Sequence, residues 1–181
     1  MSLDRYFTLG RSGLRVSRLS LGAMTFGEDW GWGAAQDTAR AMFDRYLDAG
    51  GNFIDTSDMY TGGSSETMLG RFIEEAGARD RVVLATKFSY NAQPGNPNAG
   101  GNGRKNILRA LEGSLRRLRT DYIDLYCCTP GIASRRRKKW CARWTTWCAQ
   151  ARSAMPVCPT CPRGTPRGRR LLPRHMRCRR C

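Results

Sequence analysis

The last acidic residue of this chain is Asp124, and nothing after it carries a carboxylate side chain. The chain changes character between Tyr126 and Cys127. Residues 1–126 hold 16 Lys/Arg and 15 Asp/Glu; residues 127–181 hold 15 Lys/Arg, all eight cysteines, three of the five tryptophans and six of the eight prolines. The formal charge of +16 therefore belongs almost wholly to the second segment. That segment offers only two Leu, one Ile and one Val, too little apolar surface to offset the entropy of ordering it. A packed core has to come from the first segment, and residues 127–181 are expected to be mostly irregular.

Within the first segment the apolar pattern alternates between short runs and helical periods. Tyr6–Leu9 and Leu14–Val16 flank GRSG, which predicts an opening β-hairpin. Leu19–Gly22 predicts a strand leading into the glycine-rich AMTFGEDWGWG. Asp37–Leu47 has helical spacing, with Ala41, Phe43 (or Met42), Tyr46 and Leu47 on its apolar face, and Gly50-Gly51 stops it. Asn52–Asp55 predicts the next strand and Ser64–Glu75 a second helix burying Met68, Leu69, Phe72 and Ile73. Arg81–Thr86 is a β-branched run, hence a buried strand. After a Gly/Asn/Pro-rich loop, Lys105–Leu118 repeats Ile107, Leu108, Leu111, Leu115 and Leu118 at helical intervals, and Tyr122–Tyr126 predicts a fourth strand.

Strand and helix alternate at the spacing of right-handed βαβ crossovers, which build parallel sheets. A hairpin followed by βα units fits a TIM-type (β/α)8 barrel with a plugged amino-terminal end; a doubly wound sheet is the alternative. A complete barrel takes roughly 250 residues, so the α/β expectation is the first half of a barrel. Its open fourth-strand edge would favour aggregation. No run has the ~18 apolar residues of a membrane span, and MSLDRYFTLG lacks the apolar stretch of a signal peptide. With its first half free of cysteine, the chain is expected to be cytoplasmic, with no membrane partner.

In a barrel, polar residues at the carboxyl ends of strands are the first candidates for chemistry. They are Asp55 and, in the following DTSDMY, Tyr60; Lys87 after the third strand; and Gly22-Ala23-Met24-Thr25 after the first, a stretch small enough for a flat ring to approach the backbone. Singly, each has a bland reading: Asp55 as a loop cap, Lys87 as a solvated strand end, Tyr60 as a packed aromatic.

Together, LSLGAMTFG, NFIDTSDMYTGGSSETMLG, VVLATK and DYIDLY resemble the aldo-keto reductases, in this order and at these intervals, over about residues 5–126. The resemblance implies a (β/α)8 barrel and NADPH-dependent reduction of an aldehyde or ketone, a small-molecule substrate. It implies that Tyr60 protonates the carbonyl oxygen, that Lys87 makes that phenol a better acid, and that Asp55 holds the lysine charged and in place. A free phenol, with a pKa of about 10, is a weak acid catalyst at neutral pH without a neighbouring cation. Gly22, Ala23, Met24 and Thr25, with Asp55, would line the nicotinamide end of the cofactor site. The family's pattern closes the fourth strand with a histidine, as in DLYLLH. This chain reads DLYCCT, so Thr129 stands at the histidine position.

The basic segment supports three readings. SRRRKKW and PRGRRLLPRHMRCRR would attract phosphates, as nucleic-acid-binding tails do. Cys158-x-x-Cys161 and Cys178-x-x-Cys181, 16 residues apart, have the spacing of a four-cysteine zinc ribbon. The third reading is translation in a shifted frame. Back-translated with the final C of a TAC codon for Tyr126, Cys127–Ala133 becomes CTG CTG CAC ACC TGG GAT CGC, Leu-Leu-His-Thr-Trp-Asp-Arg, which restores DLYLLH. In the same frame Lys138–Trp140 becomes Glu-Glu-Val and Trp144–Trp147 becomes Leu-Asp-Asp-Leu. Gln150–Thr160 becomes Ala-Gly-Lys-Val-Arg-Tyr-Ala-Gly-Leu-Ser-Asp, the form of a helix end and a strand. Trp and Met codons allow no freedom, and they comply.

The shifted frame accounts for the absence of carboxylates, so neither a zinc site nor a nucleic-acid partner is expected of the tail. The domain reading is a reductase half-barrel, 1–126, and a basic, irregular tail, 127–181. The chain as written, with Thr129 at the histidine position, is expected to turn over little substrate. The competing binding-module reading predicts bound zinc or salt-dependent DNA affinity mapping to residues 127–181.

Overall fold

The structure is a computed structural model that describes residues 2–10, 12–128 and 153–157. β1 (Tyr6–Thr8) and β2 (Arg15–Ser17) form an antiparallel hairpin with Phe7 opposite Val16. The other strands form one parallel sheet in sequential order: β3 (Leu21–Gly22), β4 (Phe53–Asp55), β5 (Val83–Phe88), β6 (Ile123–Cys128) and β7 (Ser153–Val157). Helices α1 (Gln36–Asp48), α2 (Ser64–Glu75) and α3 (Arg104–Leu118) connect β3 to β4, β4 to β5 and β5 to β6. A capped hairpin followed by sequential βα units is the opening part of a (β/α)8 barrel. The doubly wound alternative, which reverses strand order partway, is excluded by the sequential order of the sheet.

Period-two alternation divides the sheet between two apolar layers. Leu84 and Phe88 of β5 join Tyr126 of β6 in the larger core, with Ile123 at the start of β6 packed there out of phase, against Phe43 of α1, Leu69, Phe72 and Ile73 of α2, and Leu111, Leu115 and Leu118 of α3. The opposite face carries Val83, Ala85 and Leu125, packed with Val16 and with Leu9, Leu14 and Phe53. The hairpin thus plugs the barrel interior. Asp55, Lys87 and Cys127 share parity with Phe53, Ala85 and Leu125, so the alternation that buries this inner layer sends these three polar side chains to the same face, at the strands' carboxyl ends.

The helix faces follow the sequence pattern with two corrections. On α1 the buried positions are Ala39 and Phe43, with Tyr46 and Leu47 packed at the margin; Ala41 and Met42, two and one residues before Phe43, are exposed. Met68 of α2 packs only at the margin, while Gly70 is buried. A Cβ on Gly70 would overlap the Arg117 carbonyl oxygen and the Leu118 backbone, so this glycine sets how closely α2 approaches α3. Gly51 does the same for Tyr46, whose ring would collide with any side chain there. The Tyr46 hydroxyl, so seated, donates to Leu19 O or Phe53 O, both at 2.8 Å, and accepts from the Phe53 amide at 2.9 Å. It ties the hairpin's exit to β4.

Two findings bear on the junction at Tyr126–Cys127. β6 runs two residues past it, with Lys87 opposite Cys127 and Phe88 opposite Cys128. The edge of β6 is also covered: β7 pairs with it in parallel, Ile123 opposite Ser153 and Cys127 opposite Val157. The expectation of an open fourth-strand edge is corrected, because the backbone of β7 takes up the β6 hydrogen-bonding groups. β7 lies inside Gln150–Thr160, the stretch whose alternate frame reads as a strand. Thr129, the four-cysteine spacing and both Arg-rich runs lie outside the described residues.

Candidate active site

Asp55 ends β4 and stands opposite Ala85; Lys87 is two residues further along β5. The backbone carries the ladder onward past β4. The Thr56 amide donates to Ala85 O at 2.9 Å and the Asp58 amide to Lys87 O at 3.1 Å. Residues 56–58 therefore run beside β5 before the chain turns into a single 3-10 turn, Tyr60–Gly63. The turn brings the Tyr60 side chain back over the strand ends. Lys87 Nζ lies 2.6 Å from Asp55 Oδ2, 2.9 Å from Thr56 O and 3.1 Å from Tyr60 Oη, with its charge 4.8 Å from the Tyr60 ring centroid. One ammonium thus donates to a carboxylate, a carbonyl and a phenol. Asp55, Tyr60 and Lys87 are all half-buried: screened from bulk water but open to a ligand.

The turn that aims Tyr60 is strained and pinned. Thr61 has φ 47° and ψ 46°, the left-handed region that a β-branched residue seldom adopts. It is fully buried, and its hydroxyl donates to Phe26 O at 2.6 Å and accepts from the Ser65 amide at 3.1 Å. Gly62 and Gly63, both at positive φ, complete the reversal. Ser64 Oγ donates to Asp29 Oδ1 at 3.0 Å, latching the glycine-rich loop after β3 to the same turn.

The four residues from Gly22, the last of β3, separate into different roles. Gly22 stands opposite Asp55, is exposed, and has open space where a side chain would be. Met24 is exposed and Thr25 half-buried. Ala23 is fully buried in the larger core; its amide donates to Asp55 O at 2.9 Å and its carbonyl accepts from Ser65 Oγ at 2.6 Å. Its side chain faces the core, and it shapes this surface through the backbone it holds in place. The bare backbone at Gly22 beside Asp55 leaves room for a flat group to approach the sheet.

Cys127 borders the trio from β6. Burial pushes its thiol up to about 11, against the opposing pull of the Lys87 charge, so it is a neutral neighbour at physiological pH.

A second polar cluster lies on the helix side of the same loop and was missed from the sequence. Glu66 is fully buried and accepts from Thr86 Oγ1 at 2.6 Å and from Arg117 at 2.8 and 2.7 Å. Asp58 is only 4% exposed, and burial pushes its carboxyl up to about 6. The hydroxyl of Tyr126 is raised well above the usual phenol range, mainly by burial and then by the Asp58 and Glu66 charges. An acidic residue in the first turn of a helix ordinarily reads as a solvated charge near the helix dipole, which hides Glu66. Asp58, one position before Met59-Tyr60, had only its proximity to Tyr60 as a signal.

The Asp–Lys–Tyr trio thus gathers at the carboxyl ends of adjacent parallel strands, in the opening part of a (β/α)8 barrel. The profile of the Aldo/keto reductase family matches residues 18–129. The chain is 43% identical over 122 residues to norsolorinic acid reductase stcV of Emericella nidulans, covering 63% of this chain and 32% of that protein. It is 40% identical over 158 residues to the uncharacterized oxidoreductase YrpG of Bacillus subtilis, covering 82% of this chain and 46% of that one. Among solved structures it superposes on the holo form of aldo-keto reductase AKR11C1 from Bacillus halodurans with a TM-score of 0.73 at 29% identity, over 86% of this chain and 50% of the other. The chain belongs to the aldo/keto reductase family. It spans about a third of the length of the first of these relatives and about half of the solved structure. Among the described residues, no helix is long and apolar enough to cross a membrane.

Proposed function

We propose that this site serves the NADPH-dependent reduction of a small aldehyde or ketone to an alcohol, with Tyr60 as proton donor, Lys87 as the cation that activates it and Asp55 as the anchor of that cation. The observation that carries the reading is the single Lys87 ammonium shared between Asp55 Oδ2 and Tyr60 Oη. A reduced nicotinamide, when bound, supplies hydride to the carbonyl carbon. The oxygen that gains negative charge then needs a proton, and Tyr60 Oη holds one at the mouth of the site. Lys87 stabilises the phenolate left behind, and Asp55 and Thr56 O fix its ammonium so that no reorganisation is needed at that moment. Gly22 leaves room against the sheet for the ring, with Met24 and Thr25 at its rim; Ala23 supports their backbone. The trio's half-burial supports this assignment, because the same charges in bulk water would be screened.

We further propose that residues 127–181 are the product of a one-base loss after the Tyr126 codon, and that the protein works in the cytoplasm. The support is the alternate frame, which returns Leu-Leu-His where Cys127-Cys128-Thr129 stands. On this reading the 181-residue chain retains the proton-delivery trio and turns over little carbonyl for want of the histidine that orients it. Restoring one C after that codon and following NADPH oxidation with an aromatic aldehyde tests both parts. Turnover in the restored protein supports the reading, and its absence there removes it.

A further inference from the structure

Asp58 lies two residues before Tyr60, and its backbone amide donates to the carbonyl of Lys87 at 3.1 Å. It therefore touches both partners of the central hydrogen bond through the main chain. The Tyr60 amide in turn donates to Ser57 O at 3.2 Å, which closes residues 57–60 into one turn. The Asp58 side chain points the other way, into the cluster between the sheet and the helices. There Oδ2 is fully buried with no hydrogen-bond partner among the described residues, and Oδ1 has only the Ser57 hydroxyl, at 3.4 Å.

Most of the donors around it are committed elsewhere. From α3, Arg117 is taken by Glu66, and Arg109 donates its NH2 group to Ala99 O at 2.9 Å and Asn106 Oδ1 at 2.6 Å. From β6, Tyr126 Oη donates to Ile107 O at 3.2 Å. From β5, the Thr86 hydroxyl donates to Glu66. From α2, Glu66 itself is a second buried anion. A neutral carboxylic acid tolerates this environment, whereas a carboxylate without a donor does not. Two donors of α3, Arg109 Nε and Ser114 Oγ, are also buried without a hydrogen-bond partner. An ionised Asp58 would be drawn toward these α3 donors, and the turn it belongs to would move with it.

We infer that Asp58 is a positioning residue for Tyr60: its neutral acid holds the Ser57–Tyr60 turn against Lys87, and its carboxylate lets the phenol drift from the ammonium. The inference deepens the proposed reduction and rests on it only for its meaning, because Tyr60 can be observed without turnover. The direction of the Asp58 shift agrees, since burial and the Glu66 charge both favour the neutral form.

The test is a pH titration of the full chain carrying tyrosine labelled with carbon-13 at the ring carbon bearing the hydroxyl, with Tyr60→Phe identifying the signal. The expected result is a step in the Tyr60 resonance with a midpoint near 6, which is lost in Asp58→Asn. A flat wild-type Tyr60 signal, or the same step in Asp58→Asn, overturns the inference. Should Asp58→Asn fail to fold, Glu66→Gln decides: removal of the neighbouring anion lowers the midpoint, and an unmoved midpoint overturns the inference equally. A step in this chain, with no carbonyl reduction by its frame-restored form, keeps this inference and removes the proposed function. Turnover by the frame-restored form with a flat Tyr60 signal does the reverse.

Discussion

The Lys87 ammonium stands 3.1 Å from the Tyr60 hydroxyl, across a connection that includes the whole of α2. Two devices hold that distance. Sheet register puts Lys87 one pleat beyond Asp55, and the strained Thr61 turn folds Tyr60 back over both. Replacing Lys87 with Met keeps the stem and removes the charge. In the frame-restored enzyme we expect kcat to fall by about a hundredfold or more, the scale on which positioned acid–base groups contribute, with KM little altered. Steady-state NADPH oxidation measures it.

The α2–α3 contact depends on Gly70, whose missing side chain leaves room for the Arg117 carbonyl. Gly70→Ala would gain helix propensity of about 1 kcal/mol at an exposed site. Here the overlap is with backbone, so the helices must separate. We expect a net loss of about 1–3 kcal/mol, the range for overpacked cores, read as a lower urea midpoint at an unchanged slope.

Glu66 ties α2 to β5 through Thr86 and to α3 through Arg117. Glu66→Ala leaves the guanidinium without its carboxylate. Because the Arg117 side chain keeps 32% exposure, water relieves part of the loss, and we expect about 3 kcal/mol, the low end for a broken buried pair. Chemical denaturation measures it.

Asp58 makes stability depend on pH in the direction opposite to most carboxyls. Its folded-state value is raised from 3.8 to about 6, so the folded chain holds this proton more tightly than the unfolded chain does. The contribution is fully present below about pH 4 and is lost as pH rises through about 6, an effect of about 3 kcal/mol by linkage. We therefore expect Asp58→Asn to be more stable than the wild type above about pH 7, with the difference shrinking toward pH 4. Urea unfolding at both ends of that window checks the sign.

The strand and helix order could be read from the sequence because apolar periodicity reports burial, and each strand and helix expected in residues 1–126 appears within a few residues of its place. The sites of exact phase could not. Met42 and Phe43 are equally apolar, and only the packing of α1 selects Phe43. The trio could be named because Asp55, Tyr60 and Lys87 lie in motifs of recognisable order. Asp58 and Glu66 could not, since a carboxylate buried by contacts distant in sequence looks the same on paper as one in water. Nor does any local pattern announce the β7 pairing: a parallel strand is defined by its neighbour, and Ser153–Val157 contains a proline opposite Tyr126.

The trio's role in proton delivery is open to a single comparison: the frame-restored protein and its Tyr60→Phe variant, assayed for NADPH oxidation with para-nitrobenzaldehyde. The expected result is turnover in the first and a loss of about a hundredfold or more in kcat in the second, with NADPH still bound by both. Turnover by Tyr60→Phe at the rate of its parent would contradict the assignment, because a ring without its hydroxyl has no proton to give.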